Sequence, residues 1–169
     1  MWRIYQSFFM RNFLILLVAI LGVMIWIQPA EADPIEPYLR RYLQVTEPVP
    51  LKLNEAGETR LFSPDQISEG KSLFLQNCMN CHVGGSNLPV PSVTLSMENL
   101  KGATPPRDNI NALVAYLRHP TTYDGMGENF WCREVPDTWL STEKVENLSA
   151  FLLRSAEKAP GWGSDTFGL

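Results

Sequence analysis

The sequence predicts a mostly α-helical domain with a small β-hairpin near its N-terminus and long loops between the helices. Three observations lead there. Beyond residue 63, apolar residues recur at helical spacing in three separate stretches. Before it, two short alternating runs flank Asn54-Glu55-Ala56-Gly57. Between the helical stretches the chain is rich in proline and glycine, the residues that interrupt periodic structure.

At the start of the chain, Arg3 and Arg11 precede an uncharged apolar run of 15 residues, Phe13 to Ile27, and Ala30-Glu31-Ala32 follows it. A positive flank, a short apolar stretch and a small-x-small tripeptide make the pattern of a signal peptide, and the run is short for a membrane span, which needs about 20 residues. Residues 1–32 are therefore expected to be removed after Ala32; an uncleaved anchor is the alternative. What remains is 137 residues, 33–169, enough for one domain with one core. Because residues 1–32 hold two arginines and one glutamate, their loss takes the net charge from −4 to −5. An acidic balance argues against nucleic acid as a partner.

Residues 33–62 are expected to be a lead-in segment and the hairpin. Pro34, Pro37, Pro48 and Pro50 punctuate the lead-in, whose "YLRRYLQ" has room for one helical turn. "PLKLNEAGETRLFS" then reads as two strands joined by a four-residue loop. The helical part is 63–169. Ser63-Pro64-Asp65-Gln66 opens its first helix with a cap, a proline at the first helical position and a capping box. Ile67, Leu73 and Phe74 carry that helix into Cys78, with Gly70 on the same side. A mid-helix glycine costs about 1 kcal/mol relative to alanine, so close approach of another helix is expected there. A second helix starts near Asp108 in "RDNINALVAYLR" and stops before Pro120. The last runs from about Ser141 to Ala156, with Val145, Leu148, Phe151 and Leu152 on one face. Three helices with such loops cannot easily bury a continuous core by themselves, and a bound apolar group would supply the missing volume.

"QNCMNCHVGG" names that group. Cys78 and Cys81, three apart and followed at once by His82, are the attachment signature of a c-type haem: the thiols add across the porphyrin vinyl groups and the imidazole takes one axial position on iron. A thioredoxin-like redox pair would need a βαβ context, and half a zinc site would need a further well-spaced ligand pair; neither pattern is in the sequence. One covalent haem c is therefore expected. It consumes two of the three cysteines and leaves Cys132, while the other histidine is His119.

The string "CHVGG", the later "ATPPRDNINALVAYLRHPTTYDG" and the closing Trp162-Gly163 resemble the extrinsic low-potential cytochrome c-550 family of photosystem II in cyanobacteria. The resemblance runs from the hairpin to the last helix. It implies a class I cytochrome c fold with long haem-wrapping loops, haem c and a thylakoid-lumen location. It also implies that Gly70, Phe74 and Phe151 lie where the first and last helices cross. Pro91 matches the proline after the haem histidine, in a loop whose carbonyl accepts a hydrogen bond from the second ring nitrogen of His82.

One departure from the family decides the expected iron ligands. Where the family carries a second axial histidine, shortly after "TTYDG", this sequence reads "MGENFWCREVPDTWLS" and has no histidine. Alignment on that histidine comes within about one residue of Cys132, and alignment on the axial methionine of the commoner soluble cytochromes, which precedes the last helix by a similar distance, again selects Cys132. Cys132 is the expected sixth ligand, with Trp131 to shield it from water and Arg133 as a neighbouring cation. His119, Met126 and an open site are the alternatives, and Met97 reads as an apolar contact near the haem loop. Anionic sulfur favours ferric iron where methionine favours ferrous. The function implied is a low-potential monohaem electron carrier of the thylakoid lumen, peripheral to the membrane at most and not an enzyme. Its partners would be the lumenal surface of photosystem II or soluble lumenal redox proteins. The alternatives are a structural extrinsic subunit of photosystem II and a haem-based redox or ligand sensor. The tail "GWGSDTFGL" lacks the family's basic, tyrosine-ended terminus, which bears on docking by that end.

Overall fold

A computed structural model describes residues 13–18, 35–88 and 93–164. The chain divides into a unit ending at Pro34 and a unit beginning at Ile35. In the first, residues 13–18 are helical. The rest of the expected signal segment, Ala30-Glu31-Ala32 included, lies outside the described residues, among which no helix is long and apolar enough to cross a membrane.

The second unit opens with helix α1, Pro37–Leu43. Pro37 suits a first helical turn, where no N–H is needed, and Leu39 and Leu43, four apart, are fully buried. The sequence had suggested one turn amid irregular chain; two turns form because this pair of leucines docks on the core. The carbonyls of Leu43 and Gln44 accept hydrogen bonds from Arg154, which fixes the helix end. Strands β1 (Val49–Lys52) and β2 (Thr59–Phe62) pair antiparallel, with Val49 opposite Phe62 and Lys52 opposite Thr59. The Leu53 N–H donates to the Glu58 carbonyl at 2.7 Å and closes the expected four-residue loop, where Gly57 takes a φ of +83°.

Helix α2, Pro64–Asn77, begins with the capping box read from the sequence: Ser63 Oγ accepts from the Gln66 N–H, and Gln66 Oε1 from the Ser63 N–H. A 3₁₀ turn (Val83–Gly85) follows, then α3 (Met97–Gly102), α4 (Ile110–Arg118) and α5 (Thr142–Lys158). The short α3, capped by Ser96 and burying only Leu100, has too little periodicity to stand out in the sequence. In α4 the cap is Asn109, whose Oδ1 accepts from the Ala112 N–H, so the helix starts just after Asp108. Nine of the residues of α5 are buried, including Asn147, Ser149, Ala150, Leu153 and Ser155 outside the expected stripe; this helix runs through the interior, packed on more than one side.

Helices α2 and α5 cross at Gly70. The rings of Phe74 and Phe151 meet there at 5.4 Å. The hairpin and α1 add Leu39, Leu43, Val45, Val49, Leu51 and Phe62 to one core with α2, α4 and α5. Three helices alone would be a thin core; the N-terminal elements thicken it.

Candidate haem site

The end of α2 builds the first half of the site. Cys78 caps that helix, its N–H donating to the Phe74 carbonyl at 2.8 Å. The Cys78 carbonyl in turn accepts from the N–H groups of Cys81 (3.1 Å) and His82 (3.0 Å), so the chain turns back on itself and brings both thiols and the imidazole onto one turn. His82 Nδ1 faces the carbonyl oxygen of Ser86 at 3.2 Å. A carbonyl only accepts, so Nδ1 carries the proton and Nε2 the lone pair that a metal needs. Burial pushes the His82 pKa down, the Ser86 hydrogen bond opposing it in part, which favours the neutral ring. Pro91, which the family resemblance put in the loop that orients this ring, lies outside the described residues; the oxygen facing His82 belongs to Ser86.

The glycines after the motif have a geometric purpose. Gly85 sits at φ +79°, and a Cβ there would lie 2.6 Å from the Trp162 indole. That indole packs on Phe74 at 5.4 Å and edge-on to Phe151 at 5.8 Å, and its Nε1–H donates to the Leu95 carbonyl at 3.0 Å. The Gly163 N–H donates to the Gly84 carbonyl at 2.8 Å, and the Ser86 hydroxyl to the Ser164 carbonyl at 2.9 Å. The chain end therefore clamps the loop that orients His82 to the α2–α5 crossing.

The second half of the site is the connection from α4 to α5. Arg118, at the end of α4, donates to the carbonyls of Val135 and Leu140 and pairs with Asp137 at 2.6 Å. Those bonds hold one side of the segment that contains Cys132. On the other side, Arg107 donates to the carbonyls of Thr121 and Thr122, and the Asn129 N–H donates to the Pro120 carbonyl at 2.9 Å. Cys132 is half-buried, and its N–H donates to Asn129 Oδ1 at 3.4 Å.

Cys78 and Cys132 each feel their neighbouring thiols. Burial first, then the nearby Cys132 and Cys81, pushes the Cys78 thiol up to about 11. Burial also raises the Cys132 pKa, with Cys81 adding to it, while a hydrogen bond to Tyr116 and the charge of Arg107 pull the other way. The Tyr116 hydroxyl is held protonated by burial and by the same thiol. The cation acting on Cys132 is thus Arg107; Arg133, expected there from its place in the sequence, lies 4.3 Å over the Trp139 ring instead. Trp131, expected as a shield, is 91 % exposed. The participation of Arg107 and Tyr116 was not legible, since each is more than 15 residues from Cys132. Asn129, three residues before Cys132, carries a readable sign: an asparagine side chain often caps the backbone two or three residues on.

The donor set fits a covalently attached haem. Two neighbouring thiols, an imidazole with its lone pair on Nε2, and a third thiol within electrostatic reach of the other two make up that set. Among the other candidates, His119 is exposed at the end of α4, Met126 is 87 % exposed, and Met97 packs against the core.

The description "Cytochrome c-550 domain" matches residues 42–168. A "Cytochrome c-550-like protein" of Trichodesmium erythraeum is 49 % identical over 158 residues, covering 94 % of this chain and 95 % of its own. The "Photosystem II extrinsic protein V" of Gloeobacter violaceus is 48 % identical over 129 residues, 76 % of this chain and 69 % of its own. Among solved structures, the PsbV2 cytochrome of Thermosynechococcus elongatus superposes with a TM-score of 0.75 at 53 % identity, over 77 % of this chain and 99 % of that one.

Proposed function

The chain belongs to the cytochrome c-550 family and so carries one covalent haem c on a cytochrome c-type fold, and we propose that it works in the thylakoid lumen as a low-potential electron carrier associated with photosystem II. The observation that carries this reading is the turn at the end of α2 that gathers Cys78, Cys81 and His82, with His82 Nδ1 held by Ser86. The names of relatives that are 48 % and 40 % identical, each "Photosystem II extrinsic protein V", support the partner.

In this reading the sulfurs of Cys78 and Cys81 would hold the haem covalently. The bound haem supplies a one-electron couple. His82 would bind the iron through Nε2, the ring being turned for it by the bond from Nδ1 to the Ser86 carbonyl. Cys132 would bind the iron as a thiolate, a ligand that would favour ferric iron and a low potential. The chain following His82 and the connection from α4 to α5 would enclose the group. The family membership supports a carrier rather than an enzyme. Export fits the same reading: residues 1–32 act as a cleaved signal, residues 33–62 lead in, and 63–169 are the cytochrome domain, a reading supported by the division of the chain after Pro34.

A salt wash of isolated photosystem II particles tests the proposal. The wash should release a chain beginning at Asp33 whose mass, after denaturation, is that of the polypeptide plus one haem. A chain found only in particle-free fractions would contradict the partner, and a mass without haem would contradict the attachment.

A further inference from the structure

Tyr116 stands on α4 with its hydroxyl in a constellation that its packing does not require. Asn129 Nδ2 donates to the Tyr116 hydroxyl oxygen at 3.1 Å, which occupies one lone pair and turns the phenol's own hydrogen away from the amide. The Cys132 thiol lies close enough to this hydroxyl for each to act on the other's proton. Asn129 also accepts, through Oδ1, from the N–H groups of Trp131 at 3.0 Å and Cys132 at 3.4 Å. One asparagine therefore sets both the backbone that carries the thiol and the phenol that faces it. Behind the phenol, the Arg107 guanidinium lies 4.0 Å over the ring centroid, held there by the Thr121 and Thr122 carbonyls and the Thr121 hydroxyl. A cation on the ring face draws electron density from the phenol and makes its O–H a stronger donor.

We propose that Tyr116, oriented by Asn129 and polarised by Arg107, is the positioning residue of the Cys132 thiolate: its O–H donates to the coordinated sulfur, fixes the direction of the sulfur and tunes the iron's potential. The proposal rests on the reading of Cys132 as the axial ligand. Its chemistry follows from charge. A thiolate gives electron density to iron and favours the ferric state; a hydrogen bond to that sulfur withdraws some of it and favours the ferrous state more than the sulfur alone would. Tyr116 thus moderates a ligand that would otherwise drive the potential lower still. Placing the donor on α4 rather than on the ligand loop gives the bond a rigid base, because α4 is packed through Ile110, Leu113 and Leu117.

Resonance Raman spectroscopy of the ferric holoprotein in H₂O and D₂O, on the native chain and on Tyr116→Phe, tests it, together with the midpoint potential of each. The native protein should give an iron–sulfur stretching band, identified by iron-isotope substitution, that shifts in D₂O. In Tyr116→Phe the band should persist at a new frequency with its D₂O shift reduced or lost, and the midpoint potential should move down. A band in the native protein that ignores D₂O overturns the proposal without any variant, as does a Tyr116→Phe protein with unchanged band, isotope shift and potential; either leaves Cys132 as the ligand. The absence of an iron–sulfur band from the native spectrum overturns the ligand reading and this proposal with it.

Discussion

At Gly70 a Cβ would stand 1.9 Å from the carbonyl oxygen of Asn147 and 3.0 Å from the Phe151 Cβ, so the two helices meet at van der Waals distance only because the position has no side chain. Alanine would gain about 1 kcal/mol of helix propensity, yet it would have to push α5 away along its backbone, and overpacking of that kind costs about 3 kcal/mol. Gly70→Ala should therefore lose about 2 kcal/mol net, measured by denaturant unfolding of the holoprotein followed by circular dichroism; equal or greater stability would contradict the crossing. This residue was legible because a glycine in the middle of an amphipathic helix is an anomaly that asks for a reason. The same holds for Ser63, whose capping box is written in four consecutive residues. Tyr116 and Arg107 were not legible. An aromatic on α4 next to an apolar stripe reads as packing, and nothing local ties either residue to a thiol beyond an intervening loop.

Between elements, the hairpin is tied to α4 by the Leu53 carbonyl, which accepts from the Asn111 N–H at 3.0 Å, and by Lys52, whose ammonium meets Asp108 at 2.8 Å. Burial alone would raise the Asp108 carboxyl, but hydrogen bonding and the charge of Lys52 outweigh it and hold the group below its ordinary value. A carboxyl with a depressed folded pKa stabilises the fold above its unfolded value of about 3.9, and that contribution is lost as pH falls through the folded pKa. Lys52 is 38 % exposed, so solvent screens the pair and its worth is below about 1 kcal/mol. Asp108→Asn should thus be slightly less stable than the native chain at pH 7. The difference should shrink on acidification below about pH 4. Unfolding midpoints at several pH values check this, and a gap that widens in acid would contradict it. Element existence followed periodicity: α2, α4 and α5 are long enough to display it, whereas α1 and α3 are held by one or two buried leucines and a cap, too few for a repeat to emerge.

At the scale of the whole molecule, the fold brings Cys132 within electrostatic reach of Cys78 and of Cys81, which lies 51 residues earlier in the chain. The attachment half was readable because Cys-x-x-Cys-His is a local motif. The place given to Cys132 rests on a missing histidine and is a proposal; around it Arg107, not the expected Arg133, is the cation that acts on the thiol, and Trp131 is 91 % exposed where a shield is expected. Both errors come from reading neighbours in sequence as neighbours in space across a loop, where no helical or strand period fixes direction. We propose that the His82 imidazole and the Cys132 thiolate would together hold the haem iron. This pairing is tested most directly by the ferric electron paramagnetic resonance spectrum of Cys132→Ser, recorded beside the native protein and His119→Ala. The account predicts that Cys132→Ser keeps its covalent haem but loses the native low-spin signal, while His119→Ala matches the native spectrum. A native signal in Cys132→Ser, or its loss in His119→Ala, would contradict it.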